Sequence, residues 1–149
     1  MQNRCNGHRT ECDVGKPVAD KRKALEHEGW NIQGKSFFSV HAKLDEVYEN
    51  LNDTIDEIAE RLLALNKRPI SNYKGYLEIS NIKEADSVAI SIEDALKSLF
   101  NDIEYMLVKA KEIKEFADDN KDYGTSAMID NFIIEYEKLS WMLRVTYIA

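Results

Sequence analysis

The chain has 149 residues, a length that fits a single domain. It carries 27 acidic and 20 basic residues, and the resulting net charge of −7 excludes a generally basic nucleic-acid binder. Both cysteines, Cys5 and Cys12, lie in the polar start of the chain, and no apolar run approaches the roughly 18 residues that cross a membrane. We therefore expect a cytoplasmic protein without a disulfide framework or a membrane partner.

The first 28 residues differ in composition from the rest of the chain. They are rich in charged and polar residues, and they contain few apolar ones. A short helix is predicted from Pro17, a residue suited to the first turn, to Gly29. We therefore divide the single domain into an atypical N-terminal segment, 1–28, and a main part, 29–149.

Apolar residues recur at every third or fourth position along most of the main part. This periodicity predicts three long amphipathic helices, over about 36–66, 91–119 and 125–147. Ser36, Ser91 and Thr125 are the expected N-cap residues of these helices.

The connection between the first two of these helices, about 67–90, is longer than a tight turn needs. It must therefore cross over another element, and its apolar cluster is compatible with a short extra helix near 71–80. No strand is required anywhere. With the N-terminal helix added, this order predicts an all-α protein, a ferritin-like four-helix bundle with a long crossover.

Two pairs of side chains able to bind a metal lie on the predicted helix 36–66. His41 and Asp45 are four residues apart, as are Asp56 and Glu60, so each pair shares a helix face. Asp45 and Asp56 differ by about 20° in direction after three turns, which places all four side chains on one stripe. They are also about 16 Å apart along the axis, so one ion cannot bind both pairs of the same chain.

A two-fold axis near residues 50–51 would bring the two pairs together. An antiparallel second copy would place His41 and Asp45 of one chain opposite Asp56 and Glu60 of the other. Each dimer would then hold two sites with one imidazole and three carboxylates, a set that suits Fe(II), Mn(II) or Zn(II). The alternative is a solvated face of a charged helix, and the spacing leaves both interpretations open.

A set of motifs runs from the tryptophan at position 30 towards the C-terminus. They are Trp-Asn-Ile-Gln-Gly at 30–34, Phe-Phe-Ser-Val-His at 37–41, Ile-Ala-Glu-Arg at 58–61 and Trp-Met-Leu-Arg at 141–144. This set resembles the Dps miniferritins, the DNA-binding proteins from starved cells, over about residues 30–149.

The resemblance implies a bacterial or archaeal protein with a ferritin-like fold, which assembles into a hollow dodecameric shell built from two-fold dimers. It also implies a ferroxidase that oxidises Fe(II) with hydrogen peroxide or O2, stores ferric iron and protects the cell against peroxide. The implied ligands of the two iron ions, which zinc or manganese could replace, are His41, Asp45, Asp56 and Glu60. Trp30 resembles the family tryptophan that lies beside this centre, and simple packing against the next helix is the alternative.

The chain departs from the family pattern at one ligand. The family has a second ligand histidine immediately before the tryptophan, and here that position is Gly29. His27 lies two residues earlier, about 200° round a helix, and is a weak substitute. Two outcomes are therefore open: an active ferroxidase, or an impaired, non-catalytic shell with a structural or DNA-protecting role.

In shells of the Dps family, acidic residues near the start of the last helix line the pores through which iron enters. Asp122 and Asp130 are the candidates here, with helix capping and solubility as the alternative role. Basic residues of the N-terminal segment could contact DNA. The net positive charge of this segment is small, however, and the rest of the chain is acidic and would repel DNA. Strong DNA binding is therefore not favoured.

Overall fold

A computed structural model describes residues 29–71 and 88–148 of the chain. These residues form three long helices and two short strands, numbered here in chain order. The elements are β1 (Ile32–Gln33), α1 (Phe37–Ala64), β2 (Ile90–Ser91), α2 (Ile92–Asp119) and α3 (Tyr123–Ile148). Within the described ranges, no helix is both long and apolar enough to cross a membrane.

The three predicted long helices are confirmed, with ends within two residues of the predicted ones. The N-terminal helix was predicted to end at Gly29, but the backbone stays helical through Asn31. Its predicted start at Pro17 and the extra helix expected near 71–80 lie outside the described residues.

Two of the three predicted N-caps stand at the expected position. Ser91 caps α2, because its side chain accepts a hydrogen bond of 3.0 Å from the backbone N–H of Asp94. Ser36 precedes α1 but makes no capping hydrogen bond with its side chain. Its backbone carbonyl instead accepts hydrogen bonds from Ser39 Oγ and from the backbone N–H of Val40, both at 3.0 Å.

Thr125 is not the N-cap of α3, so that prediction is wrong. The helix begins at Tyr123, and the carboxylate of Asp122 accepts a hydrogen bond of 3.2 Å from the Thr125 backbone N–H. The Thr125 hydroxyl also donates to this carboxylate. Aspartate is a strong capping residue, and here it starts the helix before the threonine is reached.

Helices α2 and α3 run antiparallel, as their ion pairs show. Lys111 Nζ lies 2.9 Å from Glu137, and Lys114 Nζ lies 3.0 Å from Asp130. Residues late in α2 therefore contact residues early in α3, as in a helical hairpin.

Helices α1 and α3 are antiparallel as well. Asn50 donates a hydrogen bond of 3.3 Å to Glu135, and Arg61 forms an ion pair of 2.6 Å with Asp122. Since α1 and α2 both run against α3, they are parallel to each other. The connection between them must therefore return along a 28-residue helix, about 42 Å, which confirms the predicted long crossover.

A minimal parallel strand pair, which the sequence did not predict, joins the starts of α1 and α2. Ile32 pairs with Ile90, and Gln33 pairs with Ser91. Two residues are too few to produce an alternating pattern, so the pairing could not be seen in the sequence. Gly34 follows with a φ of +155°, and a Cβ there would lie 2.9 Å from Ile92 Cδ1. This glycine lets the chain turn closely against α2.

The core lies between the three helices and includes Ile32 of the strand pair. Most of the predicted inward positions are buried, and these include Leu44, Leu51, Leu99, Ile103, Ile129 and Phe132. Phe116 and Met142 also belong to the apolar spacing that predicts α2 and α3, but both are exposed. Ala117 takes the inner position instead of Phe116, because it follows the buried Ile113 by four residues on the same helix face.

A buried polar contact crosses the core from α3 to α1. The Tyr136 hydroxyl donates to Thr54 Oγ1 at 3.1 Å, and Thr54 Oγ1 donates to the Asn50 carbonyl at 3.0 Å. Burial raises the pKa of Tyr136 to about 12, so the phenol stays protonated as a donor.

Candidate metal centre

The four predicted ligands lie on one stripe of α1, beside the buried stripe of the same helix. His41 is half-buried, whereas Asp45, Asp56 and Glu60 are exposed. Within residues 29–71 and 88–148 of one chain, no three histidine, cysteine, aspartate or glutamate side chains come together as a metal-binding group.

The His41 ring is held from two sides. Its Nδ1 lies 2.8 Å from the backbone carbonyl oxygen of Gly29. A carbonyl oxygen can only accept, so a hydrogen bond here requires the proton on Nδ1 and leaves Nε2 as the nitrogen that can bind a metal. The Phe37 ring stacks on the imidazole with 5.2 Å between centroids and 11° between planes. Both contacts turn Nε2 outwards, as a metal ligand requires.

The distance between His41 and Asp45 suits a shared cation. Their Nε2 and Oδ2 atoms are 3.5 Å apart. Two ligands of one tetrahedral ion with bonds near 2.1 Å would be about 3.4 Å apart. The pair can therefore provide two neighbouring ligands of one ion without moving the helix.

The other pair, Asp56 and Glu60, points into solvent from the second half of α1. Within the part of the chain that the structure describes, neither carboxylate has a hydrogen-bond or ion-pair partner. Two carboxylates four residues apart on one helix face form an acidic patch that favours a divalent cation.

Gly29 lies directly beside His41. Among the described residues, a Cβ on Gly29 would contact only the His41 ring, at 3.8 Å from Nδ1 and 4.0 Å from Cε1, which are ordinary van der Waals distances. The position of the missing family histidine is thus adjacent to the predicted ligand. His27 lies outside the described residues.

Trp30 follows Gly29 and is 70% exposed within the chain. Packing against the next helix, the alternative role, therefore does not bury the Trp30 side chain within a single chain. Trp30 follows the residue that contacts His41, and its position beside a metal centre stays a prediction.

The two predicted pore residues are both engaged within the chain. Asp130 is bound by Lys114 at 3.0 Å, and Asp122 caps α3 and is bound by Arg61. Burial raises the pKa of Asp122, but hydrogen bonds from Thr125 and Arg61 outweigh this effect and hold the pKa below its usual value. The alternative role, capping of α3, explains the position of Asp122. A role of Asp122 and Asp130 in lining a pore stays a prediction.

Replacing Asp122 by alanine is expected to lower the free energy of unfolding by about 1–3 kcal/mol at neutral pH, because a cap and a partner of Arg61 are both lost. A carboxyl whose pKa is lowered by folding stabilises the protein above its unfolded-state pKa of about 3.9, and this contribution disappears as the pH falls through the folded-state pKa. Unfolding measured from about pH 7 to 3 should therefore show a shrinking deficit. Asp122→Asn, which keeps a capping oxygen, should lose only the part due to charge. An alanine deficit that stays constant with pH would contradict this prediction.

Two supporting groups of the candidate site were missed by the sequence analysis. Phe37 was named only within the motif at 37–41 and was given no role beside His41, although its spacing of four from this histidine was a usable signal. The role of the Gly29 carbonyl could not be predicted, since every residue has a backbone carbonyl and the residue type does not show which one contacts His41.

Comparisons with known proteins show the family of this chain. A model of the ferritin-like domain matches residues 26–146. The DNA protection during starvation protein 2 of Bacillus anthracis is 40% identical over 115 residues, which are 77% of this chain and 78% of that protein.

Solved structures show the same fold. The Dps protein of Vibrio cholerae O1, a ferritin-like diiron-carboxylate protein, superimposes with a TM-score of 0.86 at 36% identity, covering 91% of this chain and 85% of that one. Antigen TpF1 from Treponema pallidum gives a TM-score of 0.89 at 29% identity, covering 94% and 89%. The predicted all-α, ferritin-like bundle is confirmed, and the chain belongs to the ferritin-like family as a miniferritin of the Dps type.

Proposed function

We propose that this protein oxidises Fe(II) and stores the ferric product inside a hollow cytoplasmic shell, at metal sites shared between two chains. The observation that carries this proposal is the symmetry of the stripe on α1. His41 and Glu60 lie equally far from a point between residues 50 and 51, and so do Asp45 and Asp56. An antiparallel copy related by a two-fold axis at this point therefore brings complementary halves together.

Two exposed apolar residues follow the same symmetry. Phe38 is 88% exposed and Leu63 is 57% exposed, at opposite ends of the stripe. They too are equally far from the point between residues 50 and 51, and their directions on the helix differ by only about 20°. In the proposed dimer, each Phe38 would contact Leu63 of the partner subunit. Burial of both would remove apolar surface from water and flank the metal sites.

In this arrangement, each site contains His41 and Asp45 of one chain with Asp56 and Glu60 of the partner subunit. The imidazole nitrogen and three carboxylates fit Fe(II), and the carboxylates neutralise its charge. Two ferrous ions each give one electron to a peroxide molecule, which becomes two hydroxide ions. Oxidation in pairs therefore releases no hydroxyl radical.

A second candidate function is a shell that protects DNA without oxidising iron. The specific observation in its favour is Gly29, which has no side chain where the family has a ligand. The name of the Bacillus anthracis relative also refers to DNA protection. The net charge of −7 opposes direct binding to phosphates, so we rank this function second.

The two functions are separated by one experiment on the full chain. Its particle size is first measured by light scattering, Fe(II) is loaded without oxygen, and peroxide is then added. We expect a dodecamer and rapid oxidation to a soluble ferric product. Oxidation no faster than in buffer would contradict the proposal. A salt-sensitive gel shift with DNA, together with absent oxidation, would favour the second function.

A further inference from the structure

The strand pair at the start of the bundle fixes both groups that hold the His41 ring. Gly29 lies three residues before Ile32, which is buried and paired with Ile90. Phe37 lies at the other side of this pair, and its backbone N–H donates a hydrogen bond of 3.2 Å to the Gly34 carbonyl. The carbonyl and the aromatic ring therefore rest on one anchored segment rather than on a loose terminus.

Phe37 is placed to control the imidazole plane. It is the first residue of α1 and packs partly against the core, so its ring has little freedom to turn. The nearly parallel planes, 11° apart, put the ring face of Phe37 on the face of His41. The carbonyl of Gly29 fixes the ring edge, and the stacking fixes the remaining rotation about the side-chain bonds.

We propose that Phe37 is a positioning residue of the metal site, which holds His41 with Nε2 directed to a cation shared with Asp45. This inference rests on the proposed function, because it assumes that His41 binds metal. A ligand held in its binding orientation loses less conformational entropy when the ion arrives. The imidazole therefore needs no rearrangement before it binds the ion.

Phe37→Leu tests the proposal, with Phe37→Tyr as a matched control that keeps an aromatic ring of the same shape. Co2+ is titrated into each assembled protein without oxygen, and binding is followed by the visible absorption of the bound ion. We expect the leucine variant to bind Co2+ about tenfold more weakly and with altered absorption bands. Loss of a group that orients a metal ligand typically lowers the affinity for the metal by about this factor. The tyrosine variant should keep the parent affinity and spectrum. If the leucine variant does not assemble, Phe37→Met provides the same comparison.

The outcomes separate this inference from the proposed function through His41→Gln. If the parent binds Co2+ in a way that His41→Gln abolishes, but Phe37→Leu behaves as the parent, only the positioning role is overturned. An equal loss in the tyrosine and leucine variants would overturn it as well, since the aromatic ring would then not matter. If the parent and His41→Gln bind Co2+ alike, the metal site and the positioning role both fail.

Discussion

Replacing Asp56 by asparagine and Glu60 by glutamine together is expected to slow the initial oxidation of Fe(II) by at least about 100-fold, more than changes in outer-shell groups typically cost. The amides keep the size of the side chains but remove two of the three charges that each shared site offers to the ion. Both residues are exposed, so the fold should persist. The rate is measured by ferric absorbance after peroxide addition.

A matched control is available on the same helix. Asp53 and Glu57 are also exposed carboxylates four residues apart, and each lies about 60° round the helix from a proposed ligand. The variant with Asp53→Asn and Glu57→Gln changes the charge of the shell equally. It should oxidise Fe(II) at the parent rate. If both double variants lose the same activity, general charge rather than a defined site attracts the iron.

Sharing of the site between chains can be tested by mixing two inactive variants. One carries Asp56→Asn with Glu60→Gln, and the other carries His41→Gln with Asp45→Asn. A dimer containing one chain of each kind regains one intact site and has one site with no ligands. Random assembly of equal amounts should therefore restore about a quarter of the parent activity. No restoration in mixed shells would contradict a site shared across the two-fold axis.

Replacing Gly29 by histidine is expected to strengthen Zn2+ binding by at least about tenfold and to accelerate Fe(II) oxidation. The new Cβ would be 3.8 Å from His41 Nδ1, so the backbone can accept a side chain here. A second imidazole would then lie on the same side of the site as the first. Affinity is measured by competition with a coloured chelator.

Gly29→Ala is the matched control, because it adds the Cβ without a ligand. We expect the alanine variant to bind Zn2+ as the parent does. An equal gain in both variants would mean that a stiffer backbone, and not a new ligand, improves the site. No gain with histidine would mean that the parent site is already complete without it.

Most of the fold could be predicted from the sequence, because long helices produce a local, periodic pattern of apolar residues. Apolar residues at helical spacing located all three described helices, and Ser91 was recognised as a cap. Thr125 was misassigned because several polar residues precede α3, and only the three-dimensional contacts show that Asp122 accepts the hydrogen bonds. The strand pair was missed because its partners are far apart in sequence.

The sequence by itself determined the stripe of candidate ligands, since helical periodicity fixes which side chains share a face. It also showed that a glycine stands where the family has a histidine. Only the tertiary structure decided how His41 is oriented, because this depends on the Gly29 carbonyl and on the stacked ring of Phe37. A backbone carbonyl is present at every residue, so its role depends on which groups the folded chain brings within hydrogen-bonding distance.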